Sequence, residues 1–229
     1  MHRIFCFFMA LAFVFLPFAA FSEEAADPEL AFGGNLFLVN REHPIGKDDY
    51  PRDLVEPKVL GGGEATRMRP EAAAALEEMF AAAKEAGLYL AAVSGYRSYG
   101  QQTAIFARKL EKVDRQTAMR TVAPQGCSEH QIGLAMDLGT KKETRLSTAF
   151  GQTPEGQWVA ANAWRFGFIV RYQGKWEAVT GYADEPWHIR YVGRDHAKRI
   201  YEMDIPLEEY VALRSESYEV TMDEGESAP

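Results

Sequence analysis

Apolar positions divide the chain into runs and periodic faces, and these predict its elements. From Pro70 to Ala86, Leu76, Met79, Phe80 and Ala83 fall on one face at helical spacing. Pro70 suits a first turn and Gly87 a stop, so the segment predicts an amphipathic helix. Leu88–Val93 is a continuous apolar run, read as a buried strand leading into Ser94-Gly95-Tyr96-Arg97-Ser98. A second helix is predicted over Tyr99–Val113, then a loop over 114–129 shaped by Pro124 and Gly126. Leu134–Leu138 predicts a strand in which period-two alternation puts Ala135 and Asp137 on one face. Thr153 and Pro154 form a cap and first turn for a helix running to about Arg165 and burying Trp158 and Trp164.

Two more strands, Phe166–Tyr172 and Trp187–Val192, are predicted on either side of a loop containing Gly174 and Gly181. Terminal helices are predicted near Asp195–Met203 and Pro206–Leu213. Nearer the start, Leu36–Asn40 is a short strand-like run, and Arg41–Leu54 has the Pro, Gly and Asp content of a surface wrap. Gly61-Gly62-Gly63 lacks the lysine of a phosphate-binding loop and reads as a turn. There is no internal repeat and no interdomain linker. The expectation is one α+β domain over 36–214, with a small, mainly antiparallel sheet flanked by helices.

The ends read differently. His2 and Arg3 precede an apolar run from Ile4 to Leu16, and Ala20-Phe21-Ser22 resembles a cleavage site. Residues 1–22 are therefore expected to be an export signal, with an uncleaved anchor as the alternative. Residues 23–35 read as a polar leader, and 215–229 as an acidic, frayed tail. No later stretch approaches the roughly 20 apolar residues of a spanning helix. The expected location is outside the cytoplasmic membrane, in a periplasm or at a cell wall, with no stable membrane insertion once the signal is removed.

Composition narrows the function classes. With 229 residues, 47% of them hydrophobic, the chain can build a substantial core. A net charge of −8 argues against a nucleic-acid binder, which normally shows a basic face. Signal removal leaves Cys127 as the single cysteine, so the mature chain has no internal disulfide. Cys127 stands three residues before His130, which raises a thiolate ligand or nucleophile; a small buried loop side chain is the plainer reading.

The candidate chemistry lies in Ser128–Asp137 and Glu185–His188, which together offer two imidazoles and two carboxylates. Three of these groups can hold a zinc ion with a position left open for water, and the fourth can act as general base. His130, Asp137 and His188 form an N, O, N donor set, with Glu185 placed to move a proton from water to a leaving amine. Gly133 would let the backbone pass close beside the metal. Each residue also has a plain structural reading: a hydrogen-bonded histidine, a solvated turn acid, a strand-end carboxylate. His43 and His196 read as a loop residue and a helix-surface residue. Arg97, at a strand end beside Gly95, can fork onto a carboxylate or oxyanion or pair with a structural acid.

The motifs resemble a known family. Ser94-Gly95-Tyr96-Arg97-Ser98 with Gln102, Ser128-x-His130-x-x-Gly133-x-Ala135-x-Asp137, and Glu185-x-Trp187-His188-x-Arg190 resemble the zinc D-alanyl-D-alanine carboxypeptidases of the VanY type. These belong to the group that also holds lysostaphin and hedgehog. The resemblance extends over roughly 36–205 and includes Leu38-Val39-Asn40 and Asn162–Phe168. It implies a hedgehog/D,D-peptidase-like fold, Zn²⁺ on His130, Asp137 and His188, and Glu185 as catalytic base. It also implies that Arg97 stabilises substrate or transition-state charge and that Ser128 and Gln102 help hold the peptide terminus.

The implied activity is D,D-carboxypeptidase action on peptidoglycan stem peptides by a monomer, through metal-activated water. Rivals within the family are an L,D-carboxypeptidase, an endopeptidase, and a dipeptidase of the VanX type. A non-catalytic zinc module that binds wall peptides is the rival from another class. A structural zinc would need a fourth ligand, for which Cys127 is the candidate.

Overall fold

The computed structural model describes residues 27–226, so the expected export signal and the first part of the leader lie outside the described residues. Four strands form one sheet: β1 Leu90–Ser94, β2 Ala135–Thr140, β3 Phe168–Tyr172 and β4 Glu185–Tyr191. Their order is β1-β2-β4-β3, antiparallel throughout, which is the expected α+β build. All six residues of β2 are buried, because this central strand is covered on both faces.

Helix α1, Pro70–Glu85, turns its predicted face inward: Leu76, Met79 and Ala83 are fully buried against Leu90, Met136, Leu138 and Ile189 of the sheet. Helix α2, Tyr99–Leu110, starts at a capping box in which Ser98 and Gln101 satisfy each other's backbone N–H groups. The segment read as a loop after it contains a short helix, α3 (Arg115–Thr121), capped by Asp114, whose carboxylate accepts from Thr117 N–H at 3.0 Å.

Helix α4, Pro154–Asn162, has the predicted start, and a 3₁₀ turn continues it to Phe166. The Gly156 N–H donates to Thr153 Oγ1 at 3.0 Å while the Thr153 hydroxyl donates to Phe150 O at 2.7 Å. Thr153→Ala is therefore expected to cost about 1 kcal/mol, read as a lower urea midpoint. Trp158 and Trp164 are half-buried rather than buried, and Trp164 stacks on Tyr201 with ring centroids 5.4 Å apart. Beyond β3, the short helix α5 (Glu177–Thr180) leads into β4.

Helix α6, Arg194–Met203, and helix α7, from Leu207, close a second apolar cluster around Leu36, Ile169, Val192, Ile200, Leu207 and Tyr210. α7 runs to Glu226, well past the predicted end at Leu213, so regular structure extends into the segment read as a frayed tail. Residues 27–35 are likewise more than a leader. Asp27 is buried, and Arg214 Nε donates to it at 2.7 Å, tying the start of the described chain to α7.

Leu36–Asn40 is not a strand. Leu36 and Val39 are fully buried, and Phe37 O of this stretch and Asn35 O just before it accept from one Arg190 nitrogen at 2.9 Å each. An apolar run can thus satisfy backbone groups through a side chain instead of a ladder. No helix of the described residues is long and apolar enough to cross a membrane.

Candidate metal centre and active site

Strand register builds the site. On β2, Asp137 stands opposite His188 of β4 on one side and Ser94 of β1 on the other. β1 carries an extra residue between Ala92 and Ser94, and the β3–β4 pairing breaks between Val170 and Tyr172. At the second break Pro186, which has no N–H for a ladder, lies in the β4 stretch opposite Arg171. These irregularities re-aim side chains where the chemistry sits.

His130 reaches the same point from a 3₁₀ turn, Glu129–Ile132. The turn ends at Gly133 in the left-handed region, φ 69°. A side chain there would press on Leu54, Pro51 and Arg69, so glycine at 133 serves the turn and lets the wrap pack against it. The Arg97 N–H donates to His130 O at 3.2 Å, joining the turn to the loop after β1. Gly95 is needed in that loop, since a Cβ would lie 2.5 Å from Arg67 O.

The donor set is compact. Ligand atoms of His130, Asp137 and His188 all lie within 4.8 Å of one another, and the three residues are at most 4% exposed. His130 Nε2 is 3.4 Å from Asp137 Oδ2, and His188 Nδ1 is 3.2 Å from Asp137 Oδ1. The imidazoles meet edge to face with centroids 4.9 Å apart. His130 Nε2 and Asp137 Oδ1 are buried and have no hydrogen-bond partner. Two orphaned buried atoms, an imidazole N and a carboxylate O, with His188 Nδ1 converging beside them, fit a zinc ion with a coordination position to spare.

Burial and Arg97 push His130 down to about 4, so it is neutral as a ligand must be. Burial also works against charge on His188, but Asp137 and Glu129 outweigh it and push this residue up to about 9. Asp137 is held well below the usual carboxylate range; burial opposes this, and His130, His188 and Arg97 prevail. The pocket therefore favours a carboxylate and a positive charge beside it.

A cavity of about 460 Å³ opens over this cluster. Glu185, the first residue of β4, lies in its wall with Oε2 3.8 Å from His188 Nδ1. Burial pushes Glu185 up to about 7, with Asp137 adding to the effect, which is where a general base works best. Arg97 lines the same wall with Nη2 3.6 Å from Asp137 Oδ2, and its Nε is buried without a partner.

Ser128 and Gln102 also line the cavity. Gln102 donates from Nε2 to Ala123 O at 2.6 Å, leaving Oε1 as an unpartnered acceptor. Its open end thus suits an N–H rather than a carboxylate.

All seven predicted site residues meet in one cleft. Cys127 is buried and stands outside the His130–Asp137–His188 group, and burial pushes its thiol up, which suits the plainer reading of a small buried loop side chain. His43 bonds to Asn40, and His196 to the Tyr210 hydroxyl. Sequence reasoning missed Glu129, Arg171, Tyr172 and Tyr182. Glu129 is 1% exposed and lies 3.4 Å from His188 Nε2, and the Tyr172 ring packs on His188. Only the acidic residue between Ser128 and His130 offered a signal for any of them.

A buried His–Asp–His cluster with a raised carboxylate in the same cleft is the build of a metallopeptidase. The family model for VanY, D-alanyl-D-alanine carboxypeptidase, matches residues 65–194. The chain belongs to this family, and its His130, Asp137 and His188 form a group that could hold a metal ion.

Among curated relatives, the putative carboxypeptidase YodJ of Bacillus subtilis is 46% identical over 180 residues. That match covers 76% of this chain and 66% of the relative, so the chain spans slightly under two thirds of that protein's length. A solved structure of the L,D-carboxypeptidase LdcB is similar with a TM-score of 0.72 and 46% identity, covering 76% of this chain and 84% of that one. A VanB-type D,D-pentapeptidase VanY variant in complex with Zn(II) is similar with a TM-score of 0.67 and 33% identity, covering 77% and 98%.

Proposed function

We infer that the protein is a zinc-dependent carboxypeptidase that removes the C-terminal D-alanine of peptidoglycan stem peptides, cutting a D,D bond. The observation that carries this is the convergence of His130, Asp137 and His188 at the floor of a cleft walled by Glu185 and Arg97. His130 Nε2, an Asp137 oxygen and His188 Nδ1 would hold the ion. When bound, zinc supplies Lewis acidity, polarising a carbonyl and acidifying water.

Glu185 takes a proton from the attacking water on its carboxylate and delivers it to the departing amine nitrogen of D-alanine. The Arg97 guanidinium, with an uncommitted Nε–H, stabilises the charge that develops on the carbonyl oxygen or on the peptide's terminal carboxylate. Gln102 Oε1 accepts from a substrate N–H, and the Ser128 hydroxyl holds the peptide terminus. Burial of all three ligands excludes bulk water and strengthens these interactions. The expected export signal at 1–22 supports action outside the cytoplasmic membrane, where the stem peptides are.

A second reading, L,D-carboxypeptidase action on tetrapeptides, is favoured by the 46% identity to LdcB, against 33% to the D,D-pentapeptidase. The discriminating experiment incubates protein from Glu23 onward with a stem pentapeptide and, separately, a tetrapeptide, following mass with and without chelator. Loss of one alanine from the pentapeptide, abolished by chelator and restored by zinc, is the expected result. Cleavage of the tetrapeptide alone replaces the D,D reading with the L,D one. No zinc-dependent cleavage of either leaves the binding-module reading.

A further inference from the structure

Two imidazoles meet the metal site through opposite nitrogens. His130 donates from Nδ1 to Gly95 O at 2.6 Å and presents Nε2 inward. His188 does the reverse. Its Nδ1 faces Asp137, and its Nε2 points away from the cluster toward Glu129 Oε2 at 3.4 Å. Glu129 is fully enclosed, and its orientation is fixed by what grips its other oxygen. Glu129 Oε1 accepts from Arg171 Nε at 2.8 Å and from Arg190 Nη1 at 2.9 Å.

Both arginines are themselves committed. Arg171 forks onto Glu208 of α7 at 2.9 and 2.6 Å. Arg190 donates to the carbonyls of Asn35, Phe37 and Tyr191. The carboxylate cannot turn without breaking these bonds, so Oε2 is held toward its hydrogen-bond partner, the His188 ring. Tyr172 packs against the same ring with centroids 4.9 Å apart.

The geometry points to Glu129 as the positioning residue of the metal centre: it accepts from His188 Nε2–H, fixing the tautomer that leaves Nδ1 free to bind zinc. A carboxylate behind a ligating histidine also raises the basicity of the ligand nitrogen. This rests on the metal site proposed above. Glu129 touches neither substrate nor metal and acts only through His188.

Glu129→Gln is the sharpest variant, because the amide keeps the shape and loses one acceptor. The two arginines hold the remaining oxygen, so the amide N–H₂ faces His188 Nε2. His188 must then accept there and carry its proton on Nδ1, the ligand atom. Zinc affinity, measured by competition with a chelator of known strength, is expected to weaken by about 10–100-fold.

Glu208→Gln is the control for a merely structural role: it loosens Arg171 at its far side and is expected to lower Tm while zinc affinity stays at the wild-type value. Long-range ¹⁵N NMR of the zinc-loaded wild type reads the tautomer directly, whatever the variants do. Nε2 protonated and Nδ1 metal-bound at His188 is the expected spectrum, and the reverse assignment overturns the inference. Wild-type zinc affinity in a folded Glu129→Gln protein also overturns it. Wild-type protein that binds no zinc at all sinks the proposed function, and this inference with it.

Discussion

Glu185→Gln is expected to lower turnover of a D-alanine-terminated stem peptide by about 10²–10⁴-fold while the zinc content of the purified protein stays at the wild-type level. The separation of the two readouts follows from geometry. Glu185 Oε2 lies 3.8 Å from His188 Nδ1, close enough to face a reacting water, while the convergent ligand atoms belong to His130, Asp137 and His188. The amide retains the size of the side chain and cannot take a proton at neutral pH. Released D-alanine and metal content are measured on the same sample. Near wild-type turnover in the zinc-loaded variant would remove Glu185 from the mechanism. Joint loss of turnover and zinc would make it a ligand instead.

The candidate site was largely legible because its candidate ligands are carried by two short motifs. His130 in the turn and Asp137 in the strand that follows belong to one local unit, and β4 brings His188 directly opposite Asp137. Residue type and spacing suffice when the partners are local or on paired neighbouring strands. Glu129 was illegible for the opposite reason. In sequence it is the spacer between Ser128 and His130, and its meaning comes from Arg171 and Arg190, 42 and 61 residues further on.

The same contrast runs through the fold. The first helix was visible because one face repeats at 3.6 residues and terminal Pro and Gly mark its ends. α3 has only seven residues and no such face; Asp114, a good cap, was its sole signal. Leu36–Asn40 has strand composition, but Arg190 takes the Phe37 carbonyl there, and that of Asn35 just before it, which a ladder would have used. α7 outruns its apolar face, and hydrophobic periodicity cannot report a helix that continues without one.

Arg171→Met is expected to destabilise the protein by about 3–5 kcal/mol, the cost of removing one partner from a buried ion pair. Arg171 is 1% exposed, and three of its nitrogens are committed, one to Glu129 and two to Glu208. Burial alone would raise both carboxyls, but Arg171 and its neighbours hold each below its ordinary value. Without Arg171, Glu129 keeps Arg190 as its only arginine, and Glu208 loses both bonds of the fork. Methionine fills most of the volume, so the loss reports charge rather than a cavity.

For a domain of this size each kcal/mol moves Tm by about 2–4 °C, which gives a drop of roughly 6–20 °C in a thermal scan. Lys198→Met provides the contrast. Its pair with Glu202 has both side chains more than half exposed, 56% and 60%, and is expected to contribute no more than about 0.5 kcal/mol. If Arg171→Met melted with wild type, the buried cluster would be electrostatically neutral to stability. Its conformational role, anchoring α7 and the carboxylate behind His188 to one arginine, would then be the only reason for burying so much charge beside the metal centre.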